Sequence, residues 1–312
     1  MNRLLDSKTE RIVRDRAIDE VARSRANRDR SGIGELILDY LDRDSGLLRP
    51  WLVIAAAHAY GIAPRAPDNR ALVGVAAATE LLHVFALLHD DHIDREDRTA
   101  RHAPGSMNDG LRVLAGDFVH ELAWDLLDRS IESGGFPRAI AHLVRRVSLE
   151  TIVGQQMDVA YLAQPEPPSI ERLLELYDAK TARYSFVAPL CVGALAASPQ
   201  CSDIELLDRV GILLGRAYQL VDDAIDSTSA GNSPPWERNL VATLLGDSGR
   251  TVAESSLPRE ILCGVEPILG GLIDAAHDQA ERASVDGVRE IVGTVALRLR
   301  GRLDDHAANR LP

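Results

Sequence analysis

The chain has 312 residues, 46% of them hydrophobic and 4% aromatic, with a formal net charge of -12. That length can bury one large core or two modest ones. The acidic balance excludes a general nucleic-acid binder, because affinity for phosphate backbones comes mainly from basic patches, so an anionic ligand would need a local exception such as a bound metal ion.

The N-terminal stretch MNRLLDSKTERIVRDRAIDEVARSRANRDR lacks the apolar core of a signal peptide. Its interspersed acids and arginines, Arg11 to Arg30, predict a solvated helix face. Charges interrupt each apolar run of bilayer-spanning length, so the expectation is a soluble, cytoplasmic chain without stable membrane insertion. Alanine, leucine, valine and arginine dominate and β-branched or aromatic clusters are sparse, which favours helices throughout and predicts no strand.

Loop signals recur along the chain: GIAPRAPDN at Gly61, APGSMNDG at Ala103, SGGFP at Ser133, QPEPPS at Gln164, SPQCSD at Ser198 and SAGNSPP at Ser229. The segments between them read as helices, mostly of about 15 to 25 residues. Pro189 is expected to kink or end the helix that starts near Ser169. Ser202 and Glu205 have the spacing of a capping box. Cys191, Cys201 and Cys263 are odd in number and outside any CxxC spacing, which suggests neither a disulfide framework nor a zinc site and fits a reducing compartment. With no long linker and no repeat of fixed period, residues 1–312 read as a single all-α domain, a bundle of ten or more helices.

Two stretches carry chemistry. LLHDDHIDREDR ends one apolar helix with Asp90, Asp91 and Asp94; YQLVDDAID ends another with Asp222, Asp223 and Asp226. Both read DDxxD. In the first, Glu80, His83, Leu87, Asp90 and Asp94 share one helical face; in the second, Gly215, Gln219, Asp222 and Asp226 do. Carboxylates at a helix C-terminus oppose the macrodipole, so a merely solvated turn is a poor account of them. Six carboxylates in one cavity would also repel without cations between them, and hard, oxygen-seeking Mg²⁺ fits, since it takes one or two carboxylates and completes its shell with water and substrate phosphate.

Six blocks then occur in order: LLRPWLVIAAAHAYG at Leu47, ELLHVFALLHDDHID at Glu80, VLAGDF at Val113, GQQMDV at Gly154, KTARYSFVAPL at Lys180 and YQLVDDAID at Tyr218. Together they resemble the trans-isoprenyl diphosphate synthase (polyprenyl synthetase) family. The resemblance implies an all-α isoprenoid-synthase bundle around a deep central cavity, usually a homodimer, with three Mg²⁺ ions holding an allylic diphosphate between the two motifs. It further implies that Asp90 and Asp94 ligate metal from one side and Asp222 from the other. Asp91, Asp223 and Asp226 join the metal set in supporting roles. Lys180 would contact the allylic diphosphate, and Gln219 and Thr181 would face the carbocation left when diphosphate departs. Arg49 and His83 fall at isopentenyl-binding positions, and Arg98 and Arg101 at positions that reach phosphate. Phe85, five residues before Asp90, would floor the product tunnel; one helical turn spans about 5.4 Å, roughly one isoprene unit, so the implied product is farnesyl to geranylgeranyl in length. Lys180 stands out by composition as well: Lys8 and Lys180 are the only lysines among 35 basic residues.

Departures bear on the acceptor. The family's GGKRxRP is here Asp44, Ser45, Gly46, Leu47, Leu48, Arg49 and Pro50, without the lysine. Its paired arginines are split by Thr99 and Ala100, and its lysine-bearing loop after the second motif becomes STSAGNSPPWERN, where Trp236 and Arg238 are the candidates to rebuild a cationic lid. The first reading is condensation of an allylic diphosphate with isopentenyl diphosphate. A class I terpene cyclase, or transfer to another acceptor, would use the retained allylic half alone. A noncatalytic partner subunit of a synthase would need neither aspartate cluster.

Overall fold

The computed structural model describes residues 7–24, 32–43, 46–63, 69–93, 108–162, 168–227, 241 and 257–310. Among them every regular element is helical, and no strand occurs. By contacts the chain divides into two compact units, one from Leu143–Cys191 and the described residues beyond Cys201, the other from those up to His142 together with Val192–Gln200.

The second of these units holds α1 (Ser7–Arg23), α2 (Ile33–Leu41), α3 (Leu48–Ala59), α4 (Arg70–Ile93) and α5 (Asn108–Gly134). α4 and α5 run antiparallel: a Cβ at Gly134 would meet Ala71, one at Gly74 would meet Ser130, and one at Gly116 would meet the His89 ring. Small residues at these crossings bring the axes close, and Leu81, Leu88, Leu126 and Leu127 fill the rest of the interface with almost no exposure. α1 is amphipathic, with the expected solvated face set against a buried one. Val13, Ala17 and Val21 are buried at helical spacing, and the buried Glu20 carboxylate is held by Arg16 at 2.8 Å and Arg129 at 2.7 Å. α4 corrects the reading that charges interrupt every long apolar run: by length and composition it could cross a bilayer, but more than half of it is buried inside the protein, as in a core helix.

The other unit contains most of α6 (Ala139–Leu162), α7 (Ile170–Tyr177), a ten-residue π-helix (Asp178–Val187), the start of α8 (Ala188–Ala197), α9 (Ile204–Ser227), α10 (Leu257–Ala280) and α11 (Gly287–Arg310). Pro189 does not end the helix. The chain stays helical to Ala197, but the stretch before the proline widens into π geometry. Proline lacks an N–H for the carbonyl four residues back and its ring crowds that carbonyl, so an opened turn relieves the clash. The capping box also shifts. α9 begins at Ile204, Asp203 precedes it, the Ser202 hydroxyl turns to Asp203 Oδ1 at 3.3 Å, and Ser284 donates to Asp203 Oδ2 through its N–H and hydroxyl, both at 2.7 Å.

The π-helix is gripped on two sides. A Cβ on Gly154 of α6 would stand 2.4 Å from the Lys180 backbone nitrogen, and one on Gly215 of α9 would stand 2.2 Å from the Ala182 Cβ. Arg216 of α9 forks onto Asp178, with both bonds 2.7 Å, and Arg183 bridges Glu150 at 3.3 Å and Asp208 at 3.1 Å.

Candidate active site

Asp90 and Asp91 of the first aspartate cluster occupy the last turn of α4. Asp90 is partly exposed, whereas Asp91 is 2% exposed and engaged inside the unit. The Tyr40 hydroxyl at the end of α2 donates to Asp91 Oδ2 at 2.5 Å, and Arg43 Nη1 donates to the same oxygen at 3.3 Å. The Arg43 guanidinium lies 3.5 Å above the Tyr40 ring. Burial, followed by the bond to the Asp91 carboxylate, pushes the Tyr40 phenol up to about 12. Asp94, Arg98 and Arg101 lie outside the described residues, as do Trp236 and Arg238.

Arg49 enters the interior at the start of α3 and is 4% exposed. The turn that delivers it is unusual: Leu47 adopts the left-handed conformation at φ 46, ψ 44, which costs a non-glycine residue about 1–2 kcal/mol and is held here by burial of its side chain. His83 titrates well below its ordinary range, first because burial penalises the imidazolium and second because the Arg49 charge repels it. At neutral pH its ring is therefore neutral. The folded protein resists protonating His83, so its contribution to stability is complete above the unfolded value of about 6.5 and is lost as pH falls below that value. Thermal unfolding of wild type is expected to drop between pH 7 and pH 5 more steeply than that of His83→Gln; parallel curves would contradict this.

Phe85 is partly buried beside α5. Its ring centre lies 4.8 Å from that of His89 and 4.7 Å from that of His120, and the Trp124 indole N–H donates to His120 Nε2 at 3.1 Å. The indole makes Nε2 the acceptor and leaves Nδ1 to donate to Glu121, 3.1 Å away. Phe85 thus packs against His89 and His120, the latter backed by Trp124, three rings that the sequence reading did not single out.

The second cluster is built the same way. Asp222, about a quarter exposed, accepts from Arg302 Nη2 of α11 at 2.5 Å, and that guanidinium stacks 5.2 Å from the Tyr218 ring centre. Asp223 is 7% exposed; it accepts from the Tyr177 hydroxyl and, at 2.9 Å, from Gln219 Nε2. Thr181 in turn donates to Gln219 Oε1 at 2.8 Å. Asp226 is exposed at the helix end. Lys180 donates to Asp158 Oδ2 at 2.5 Å.

The structure therefore brings Thr181, Gln219, Asp222 and Asp223 together along α9 and the π-helix, and holds Lys180 against Asp158. Arg302, which carries no motif signal, pairs with an aspartate of the cluster. Asp158 lies four residues after Gly154 in a recognised block and was legible there; Tyr40, Arg43 and Tyr177 carried no local signal. The donor set fits Mg²⁺ in kind, since Asp90 and Asp222 present hard carboxylate oxygens with partial exposure. Among the described residues no three His, Cys, Asp or Glu side chains gather into a metal cage. Mg²⁺ does not demand one, because it completes its shell with water and phosphate.

The sequence model of the polyprenyl synthetase family matches residues 32–233. A (2E,6E)-farnesyl diphosphate synthase of Mycobacterium tuberculosis is 37% identical over 183 residues, which cover 57% of this chain and 48% of that protein. An octaprenyl diphosphate synthase of Escherichia coli is 28% identical over 222 residues, covering 65% of this chain and 64% of that one. The matched region thus spans about half to two thirds of these relatives' length. The solved structure of a geranylgeranyl pyrophosphate synthetase from Geoglobus acetivorans superposes with a TM-score of 0.76 at 20% identity, over 94% of this chain and 98% of that one, and so shares its fold.

Proposed function

Because the chain belongs to the polyprenyl synthetase family, we propose that it is a cytoplasmic, Mg²⁺-dependent prenyltransferase that condenses an allylic diphosphate with isopentenyl diphosphate. The observation that carries the site assignment is the split within each cluster. The first carboxylate, Asp90 or Asp222, keeps partial exposure at a helix end, and the second, Asp91 or Asp223, is buried. The family match runs through both compact units, which supports treating residues 1–312 as one functional domain.

In this reading Asp90 and Asp222 hold Mg²⁺, assisted by Asp94 and Asp226. Three bound ions would neutralise the charge that grows on the departing diphosphate. Lys180, its ammonium held by Asp158, grips the allylic diphosphate as a compact point charge. Thr181 and Gln219, locked to each other, present oxygen dipoles to the allylic cation. The isopentenyl double bond attacks that cation, and the proton lost afterwards passes to the released diphosphate. Phe85, backed by His120 and Trp124, limits the product to farnesyl or geranylgeranyl length. A homodimer is supported by α6, where Leu149, Ile152, Val153 and Val159 lie exposed on one helical face and a second copy of this chain is the proposed cover.

Arg49 and His83 favour a second reading. A deeply buried guanidinium beside a neutral imidazole is a weak grip for a second diphosphate, and a class I terpene cyclase does not need one. Purified protein incubated with Mg²⁺ and geranyl, farnesyl or geranylgeranyl diphosphate, with and without isopentenyl diphosphate, separates the two by mass spectrometry of products. The expected product is a longer prenyl diphosphate that requires isopentenyl diphosphate. A hydrocarbon or terpene alcohol formed without it would establish the second reading, and no product from any substrate would leave a noncatalytic partner. Light scattering on the same sample reads the oligomeric state.

A further inference from the structure

The two aspartate clusters share a feature that the DDxxD spacing does not contain. In each, the middle carboxylate is buried and receives a tyrosine hydroxyl from a distant helix end. Tyr40, in the last turn of α2, bonds to Asp91 across 51 residues, and Tyr177, the last residue of α7, bonds to Asp223 across 46. Each bond has an auxiliary donor: Arg43 on Asp91, Gln219 on Asp223. The same device is built once in each compact unit, by partners in different sequence surroundings.

Helix geometry says what such a bond does. Neighbouring residues are about 100° apart around an α-helix, whereas residues four apart return to within about 40° of one face. On α9, Asp222 and Asp226 share the face that reaches solvent while Asp223 is turned into the packing. A hydroxyl that grips the middle carboxylate therefore fixes the rotation of the helix end about its own axis, and with it the direction of the carboxylates on either side. A buried carboxylate needs hydrogen-bond partners, and a tyrosine hydroxyl together with an arginine or amide supplies them here.

We propose that Tyr40 and Tyr177 are positioning residues for metal binding: each clamps the second aspartate of its cluster, so that Asp90 and Asp222 rather than Asp91 and Asp223 are presented to the Mg²⁺ of a diphosphate. The assignment rests on the Mg²⁺–diphosphate reading above. It gives the middle aspartates a mechanical task and excludes them as direct ligands, since ligation would require each to leave its tyrosine.

The test is calorimetric titration of the full chain with inorganic diphosphate over a range of Mg²⁺ concentrations, alongside thermal unfolding. Tyr40→Phe and Tyr177→Phe remove one hydroxyl each, in different units, so a folding failure in one leaves the other informative. Both are expected to need about tenfold more Mg²⁺ for half-maximal diphosphate binding, the size of one lost charge-assisted hydrogen bond. Asp91→Asn, which keeps an acceptor for Tyr40, is expected to retain most binding, and Asp90→Asn to lose it. A purely structural role would lower the unfolding temperature of the Phe variants and leave their Mg²⁺ dependence at the wild-type value, overturning the proposal. So would Asp91→Asn failing as completely as Asp90→Asn. Wild-type protein that binds no diphosphate at any Mg²⁺ concentration would instead reject the underlying reading, and the positioning role with it.

Discussion

Asp90→Ala and Asp222→Ala are each expected to lower turnover of an allylic diphosphate by about 100- to 1,000-fold, the scale on which removing one preorganised electrostatic contact acts. The two variants should differ in stability. Asp90 sits at the partly exposed end of α4, and its loss should scarcely change unfolding. Asp222 neutralises Arg302, so Asp222→Ala leaves a half-buried guanidinium without that carboxylate and should cost about 1–3 kcal/mol. The double variant Asp222→Ala with Arg302→Leu should recover much of that stability and none of the activity. Steady-state kinetics with chemical denaturation measures both quantities, and full activity in both single variants would remove the aspartates from the mechanism.

Gly154→Ala and Gly215→Val should strike the π-helix from opposite sides. The added Cβ at 154 would meet the Lys180 backbone at 2.4 Å, and the one at 215 would meet the Ala182 Cα at 2.4 Å. Backbone cannot yield as a side chain can, so the expected cost is about 1–3 kcal/mol or more. Activity should fall further than stability alone explains, because Lys180 and Thr181 ride on the displaced segment. Gly270→Ala in α10 is the control: a Cβ there meets nothing within 4 Å, and alanine favours a helix by about 1 kcal/mol over glycine. If Gly154→Ala unfolds like Gly270→Ala, the close approach of α6 to the π-helix is not a constraint on the fold.

Much of the molecule was legible from local sequence. Helix propensity and the sparseness of β-branched clusters foretold that the described elements are helical, and the loop signals at Gly61, Gln164 and Ser198 fall between described helices. Asp90, Asp222, Gln219 and Thr181 were nominated by helical spacing and family resemblance, and the last three lie together. The Ser202 capping box missed by one position: Asp203 immediately precedes α9, and the Ser202 hydroxyl turns to the Asp203 carboxylate, which also accepts from Ser284, a residue 81 positions away that local spacing cannot show.

Periodicity, propensity and charge at helix ends are properties of a few consecutive residues, and these by themselves determined the helices, the two acidic helix ends and the singular lysine between them. The rotation of each acidic end, the burial of its middle aspartate, the pairing of Asp222 with Arg302 and the π register at Lys180 were decided only in three dimensions. Each depends on a partner contributed by another helix: Tyr40 for Asp91, Tyr177 for Asp223, Arg302 for Asp222, and Gly154 and Gly215 for the widened turn. A hydrogen bond across 51 residues leaves no trace in local spacing, because what brings its two ends together is the packing of whole helices.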